Sequence, residues 1–185
     1  MSKRLILAAS LALSLSACAT AIPPVEVTRF HIGNPARSGT IAVEEMRGNP
    51  DVSLEFRTYA AAVAQEWQRV GFTPVSAGET SDYVASVAFR RSFRPSGVDR
   101  GSDRPVSVGV GGGINLSGKP KDIVTTELHV QLRRRADSTM IWEGRALTEA
   151  REGTPAAQPG LAAQKLSAAL IEGYPGESGR TITVK

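Results

Sequence analysis

Few residues in this 185-residue sequence are typed and spaced for chemistry. His31 and His129 are its only histidines, and neither lies in the H-E-x-x-H spacing that seats zinc. The alternation around His129 predicts a wet strand face shared with Glu127 and Gln131. Gly113 to Pro120 nearly spells a phosphate-binding loop, but Pro120 stands where a hydroxyl must hold magnesium, and a strand rather than a helix follows. Gly176-Glu177-Ser178-Gly179 falls short of a nucleophile elbow because Arg180 occupies the last glycine position. Arg90, Arg91 and Arg94 close one predicted strand, and Arg133, Arg134 and Arg135 close the next. Antiparallel pairing would put these clusters at opposite ends, with Arg145 and Arg151 returning to the first beside Glu149 and Glu152. Solvated, edge-protecting charge is the plainer reading of these arginines. An anionic-polymer site on Arg90, Arg91 and Arg94 is the alternative. The inventory predicts no catalytic constellation, no cofactor, no metal and no nucleotide.

The remaining candidate is Cys18, the sole cysteine. It follows Lys3 and Arg4, an apolar run from Leu5 to Leu15, and Ser16-Ala17, a pattern that resembles the lipobox of a bacterial lipoprotein signal peptide. Eleven residues of helix span roughly 16 Å, about half a hydrocarbon core, so the run is too short to cross a membrane and reads as a removable leader. The resemblance implies that the Cys18 sulfur receives diacylglycerol, that residues 1–17 are cut away and that the new amino terminus is acylated. Two or three acyl chains anchor far more durably than one. Ala17-Cys18-Ala19 and Ala19-Thr20-Ala21 also satisfy an ordinary secretory cleavage site, which would discard the cysteine. Ala19 is not the aspartate that signals inner-membrane retention in enteric lipoproteins, so the outer membrane is expected.

Cleavage before Cys18 leaves 168 residues, enough for one domain, with 20 basic against 18 acidic side chains. That near-neutral balance excludes a nucleic-acid binder. Residues 18–24 form a lipidated tether, and residues 25–185 a single domain interrupted by a flexible glycine-rich insertion at 95–120.

Val25 to Phe30 and Thr40 to Glu44 are β-branched runs separated by Gly33, Asn34, Pro35 and Gly39, read as two strands joined by a loop. Asn49-Pro50 would start a helix with apolar residues at Val52, Phe56, Tyr59, Ala60, Val63, Trp67 and Val70, closed by Gly71. Phe72 to Val75 continues as a short strand or extended turn. Asp82 to Phe93 alternates with Tyr83, Ala85, Val87 and Phe89 on one face. Ile123 to Arg133 turns Val124, Thr126, Leu128, Val130 and Leu132 inward, and Met140 to Thr148 does so with Met140, Trp142, Gly144 and Ala146. Trp67 and Trp142 are read as core aromatics. A second helix over Pro159 to Glu172 buries Ala162, Leu166, Ala169 and Leu170, and Thr181 to Val184 could add an edge strand. The expected fold is α+β in two layers: an antiparallel-rich sheet of about five to six strands with two helices packed on one face.

Several residues together resemble a known family: Arg29-Phe30-His31, Trp67-x-x-x-Gly71-Phe72, Asp82-Tyr83-Val84, Ile141-Trp142-Glu143-Gly144, Tyr174-Pro175-Gly176 and the lipobox. The pattern is similar to the bacterial lipoproteins of domain-of-unknown-function family 4136. The resemblance implies an α+β envelope domain and brings no catalytic residues. The expected function is non-enzymatic: a lipid-anchored domain facing the periplasm that supports envelope assembly or integrity through contacts with envelope proteins. The alternative is a binding module for lipopolysaccharide or peptidoglycan, and a cryptic hydrolase would need a pocket with convergent carboxylates.

Overall fold

A computed structural model describes residues 23–47, 54–95 and 121–185. Cys18, the Asn49-Pro50 start, Val52 and nearly all of the 95–120 insertion lie outside these residues. The chain runs through β1 (Val25–His31), β2 (Gly39–Glu45), α1 (Leu54–Arg69), β3 (Phe72–Val75), β4 (Tyr83–Arg94), β5 (Ile123–Arg134) and β6 (Met140–Arg151). A short 3-10 turn (Pro155–Ala157), α2 (Pro159–Ile171) and β7 (Thr181–Val184) complete it.

The strands form one seven-stranded sheet in the order β3-β2-β4-β5-β6-β1-β7. This corrects the expected five to six strands, and the sheet is mixed: β2 runs parallel to both of its neighbours, β3 and β4, while the other four pairings are antiparallel. The α+β character stands. The parallel step has a direct cause: α1 connects β2 to β3, and a helical crossover returns the chain in the direction it left. The two four-residue strands, β3 and β7, make up the larger count and carry too few residues to show a period. β1 and β2, consecutive in sequence, are not neighbours in the sheet; β4, β5 and β6 lie between them.

Alternation sets the two faces. Toward the helices point Val25, Val27 and Arg29 of β1, Ala85, Val87 and Phe89 of β4, and Leu128, Val130 and Leu132 of β5. Met140 does not join them as expected. A register shift between Leu132 and Arg133 adds a residue to the β6 side, so Ile141 enters the core and Met140 stays 37% exposed. Trp67 of α1 sits at the centre, edge-on to Phe72, Trp142 and Tyr174 with ring centroids 5.0–5.6 Å apart. Gly144 is required beside it: a Cβ there would collide with the Trp142 ring and lie 2.7 Å from Leu170. Tyr59 stacks on Phe89 at 4.4 Å and carries the core toward the start of the helices.

The sheet has two distinct ends. At one, which we call the entry pole, lie the start of β1, the ends of β2, β4 and β6, the start of β5 and the first turns of α1 and α2. The opposite pole holds the end of β1, the starts of β3 and β4, and the end of β5.

Candidate functional site

Asp82 sits at the mouth of a cleft of about 440 Å³ at the pole opposite the entry, with Ser81, Tyr83, Arg135 and Gly39 among its walls. Its carboxylate accepts from the Thr40 amide at 2.8 Å and the Thr40 hydroxyl at 2.7 Å, joining β2 to the start of β4. Arg135 bonds Glu44 at 2.7 Å and the Ser81 hydroxyl at 3.0 Å. Arg134 pairs with Asp137. Gly39, with φ +137°, leaves room for the Tyr83 ring, which a Cβ would meet at 2.8 Å. Each charged group of the cleft is thus bonded to another strand or turn, so the arrangement clasps β2, β4 and β5 rather than aiming a free acid or base at a substrate.

The Thr40 amide, and then its hydroxyl, hold the Asp82 carboxyl below the usual carboxylate range. A depressed folded-state pKa contributes stability at pH above the ordinary value of 3.8, and that contribution disappears as pH falls through the folded-state value. Asp82→Asn keeps an acceptor and removes the titration. Its urea midpoint is therefore expected to fall less steeply than wild type over roughly pH 5 to 2, and parallel curves would refute the assignment.

The open sheet face carries a second polar group that the sequence reading missed. His129 Nε2 lies 2.7 Å from Glu143 Oε1, and Arg145 reaches the same oxygen at 3.3 Å. Arg145 stands opposite His129 in mid-sheet, whereas the sequence reading put it with Arg151 at the end holding Arg94. The available signal was alternation: His129, Arg145 and Glu143 all have outward parity on adjacent strands. One carboxylate shared by an imidazole and a guanidinium is a cross-strand ion pair on a wet face. Among the described residues no group of three or more His, Cys, Asp or Glu could hold a metal.

Arg90, Arg91 and Arg94 do not share a surface. Arg90 and Arg94 have open-face parity, and Arg94 pairs with Glu149 at 3.1 Å. Arg91 turns to the helix side, where it donates to the Ala157 carbonyl at 2.9 Å and lies 3.5 Å from Glu55. The alternation of the strand divides them, so the structure does not converge the three on one ligand. His31 is tied locally, its ring nitrogens near the carbonyls of Gly33 and Gly176.

The buried group that sequence reasoning did not single out is Arg29, 7% exposed. Its guanidinium donates to the carbonyls of Ala169, Leu170 and Glu172 at 2.8–3.0 Å, at the C-terminal end of α2. That helix has no basic residue in its last turn, so Arg29 supplies from the sheet the positive charge that helix ends favour. Burial lowers its pKa, and Glu172 opposes that shift.

No family model matches the chain. An uncharacterized protein of Zymomonas mobilis is 28% identical, with 89% of this chain aligned to 82% of that one. A PelC dodecamer from Paraburkholderia phytofirmans superposes with a TM-score of 0.51 at 13% identity, covering 79% of this chain and 94% of that chain. A PDZ domain protein from Parabacteroides distasonis gives 0.51 at 12% identity over 99% of this chain and 43% of that one. At such identities the likeness to the solved structures is one of fold.

Proposed function

We propose that this chain is a lipid-anchored envelope lipoprotein, attached through Cys18, facing the periplasm from the outer membrane and acting without catalysis through contacts with envelope proteins. Membership of family 4136 belongs to the same proposal. The observation that carries the anchored reading is how soon the fold begins after the cysteine. Val25 is fully buried in β1, and Thr148 donates to the Pro24 carbonyl, so order starts by residue 24. Fully extended, the stretch from Cys18 to Val25 spans at most about 24 Å, so a lipid on Cys18 would hold the domain at the membrane surface. Among the described residues no helix is long and apolar enough to cross a membrane.

The non-catalytic reading is supported by the pairing of the carboxylates at the cleft: Asp82 with Thr40 and Glu44 with Arg135. The open face, with both signs of charge and no helix over it among the described residues, is the surface offered to a protein partner.

Cys18→Ser tests the anchor. The wild-type protein is expected in the outer-membrane fraction with a mature N-terminus bearing acyl mass. The variant is expected as an unlipidated precursor or as soluble protein. Unchanged processing and fractionation in the variant would remove the reading.

A further inference from the structure

We propose that the entry pole is a lipid-contact surface, on which Leu54, Phe93 and Leu161 seat the folded domain against the bilayer that holds its anchor. This rests on the anchored reading and adds an orientation to it. The three side chains are 79%, 57% and 48% exposed, unusual for large apolar residues on one end of a small domain. They come from three separate elements, the first turn of α1, the end of β4 and the first turn of α2. Arg91 marks their meeting point. Its guanidinium carbon lies 5.9 Å from the Phe93 ring centroid, and its nitrogens reach Glu55, next to Leu54, and the Ala157 carbonyl, just before α2.

The occupant follows from where the chain enters. β1 starts at this same pole, with Val25 opposite Thr148 of β6, so a tether from Cys18 brings this end, rather than its opposite, toward the lipid. Arg94, which also pairs with Glu149 at 3.1 Å, and Arg151 stand at the same pole, opposite one another across Ile123 of β5. Apolar tips flanked by arginines suit the headgroup boundary, where the tips enter the acyl region and the guanidinium groups stay with phosphate. A partner protein would satisfy the apolar residues equally well, but only the membrane is placed there by the tether. Phe30, Ile32 and Met140, the other exposed large apolar side chains among the described residues, lie at the opposite pole and would point away from the bilayer.

The test uses the mature chain on phosphatidylethanolamine–phosphatidylglycerol vesicles containing brominated lipid. Cys18 is the only cysteine, so when it is acylated an introduced cysteine becomes the single free thiol for a fluorophore. Gly160→Cys places the probe beside Leu161, where an added Cβ meets nothing within 4 Å, and Asn34→Cys places it on an exposed loop at the far pole. Bromine quenching several-fold stronger at position 160 than at 34 is expected. Combining Leu54→Ser, Phe93→Ser and Leu161→Ser should bring the 160 probe down to the level at 34 without altering the circular dichroism spectrum. Equal quenching at both positions, or quenching at 160 that survives the triple substitution, would overturn the proposal. The acyl mass on Cys18 is measured on the same preparations. Its absence would count against the anchor, while a quenching difference on added vesicles, read in a Cys18→Ser background so that the introduced cysteine is again the single thiol, would still establish the lipid-contact pole.

Discussion

Replacing Arg29 by Met is expected to cost about 4 kcal/mol of stability, because it strips charge-assisted partners from three carbonyls at the end of α2. Methionine fills much of the volume and isolates the polar loss from a cavity effect. For a domain of this size, 1 kcal/mol corresponds to roughly 2–4 °C, so the melting temperature should drop by ~8–16 °C. Arg29→Lys should recover less than half of the loss, since an ammonium cannot reproduce the planar fork that serves several carbonyls at once. Urea unfolding reads the effect as a lower midpoint with an unchanged slope. A loss below about 1 kcal/mol would mean that water replaces the guanidinium without penalty. Gly176 tests the same cradle from the other side. It has φ +77°, and a Cβ there would stand 2.6 Å from the Arg29 side chain, so Gly176→Ala should also destabilise.

Trp67→Ala is the second large effect, about 4 kcal/mol or more, and comparable to truncation of other fully buried aromatics. Trp67 is wholly buried at the junction of Phe72, Trp142 and Tyr174, so the hole cannot be filled by one neighbour. The finer expectation separates the two tryptophans. Trp142 Nε1 donates to the Pro175 carbonyl at 2.9 Å, whereas Trp67 Nε1 is buried without a partner. Trp142→Phe therefore loses packing and a hydrogen bond, while Trp67→Phe loses packing and sheds an unsatisfied donor. Thermal unfolding should place Trp142→Phe below Trp67→Phe, and the reverse order would show that ring volume alone governs this core.

The regular elements were legible because their period is written in side chains. β5 buries Val124, Thr126, Leu128, Val130 and Leu132 as its alternation predicts, and α2 buries Ala162, Leu166, Ala169 and Leu170. Met140 was misplaced because a bulge adds a residue without any mark in the apolar pattern. Arg29 was legible in part, sharing the inward parity of Val25 and Val27, but its partners are backbone carbonyls more than a hundred residues away, which carry no side-chain signature. The clasp of Asp82 on Thr40 was hidden for a related reason: it depends on β2 running parallel to β4 as direct neighbours.

By itself the sequence determined the two helices, the long strands and the inward residues of most of them, and it supplied the lipobox resemblance on which the proposed acylation of Cys18 rests. Each follows from local chemistry: a period of two or of about 3.6, a cap, or an apolar run too short to span a bilayer. Only the tertiary structure decided which strands meet, and therefore that Asp82 at the start of β4 clasps Thr40 of β2. It also decided that His129 shares a carboxylate with Arg145, that Arg29 caps a distant helix, and that Leu54, Phe93 and Leu161 gather where the chain enters the fold. Pairing order sets these outcomes, and it is fixed by the summed burial of the whole sheet rather than by any window of residues.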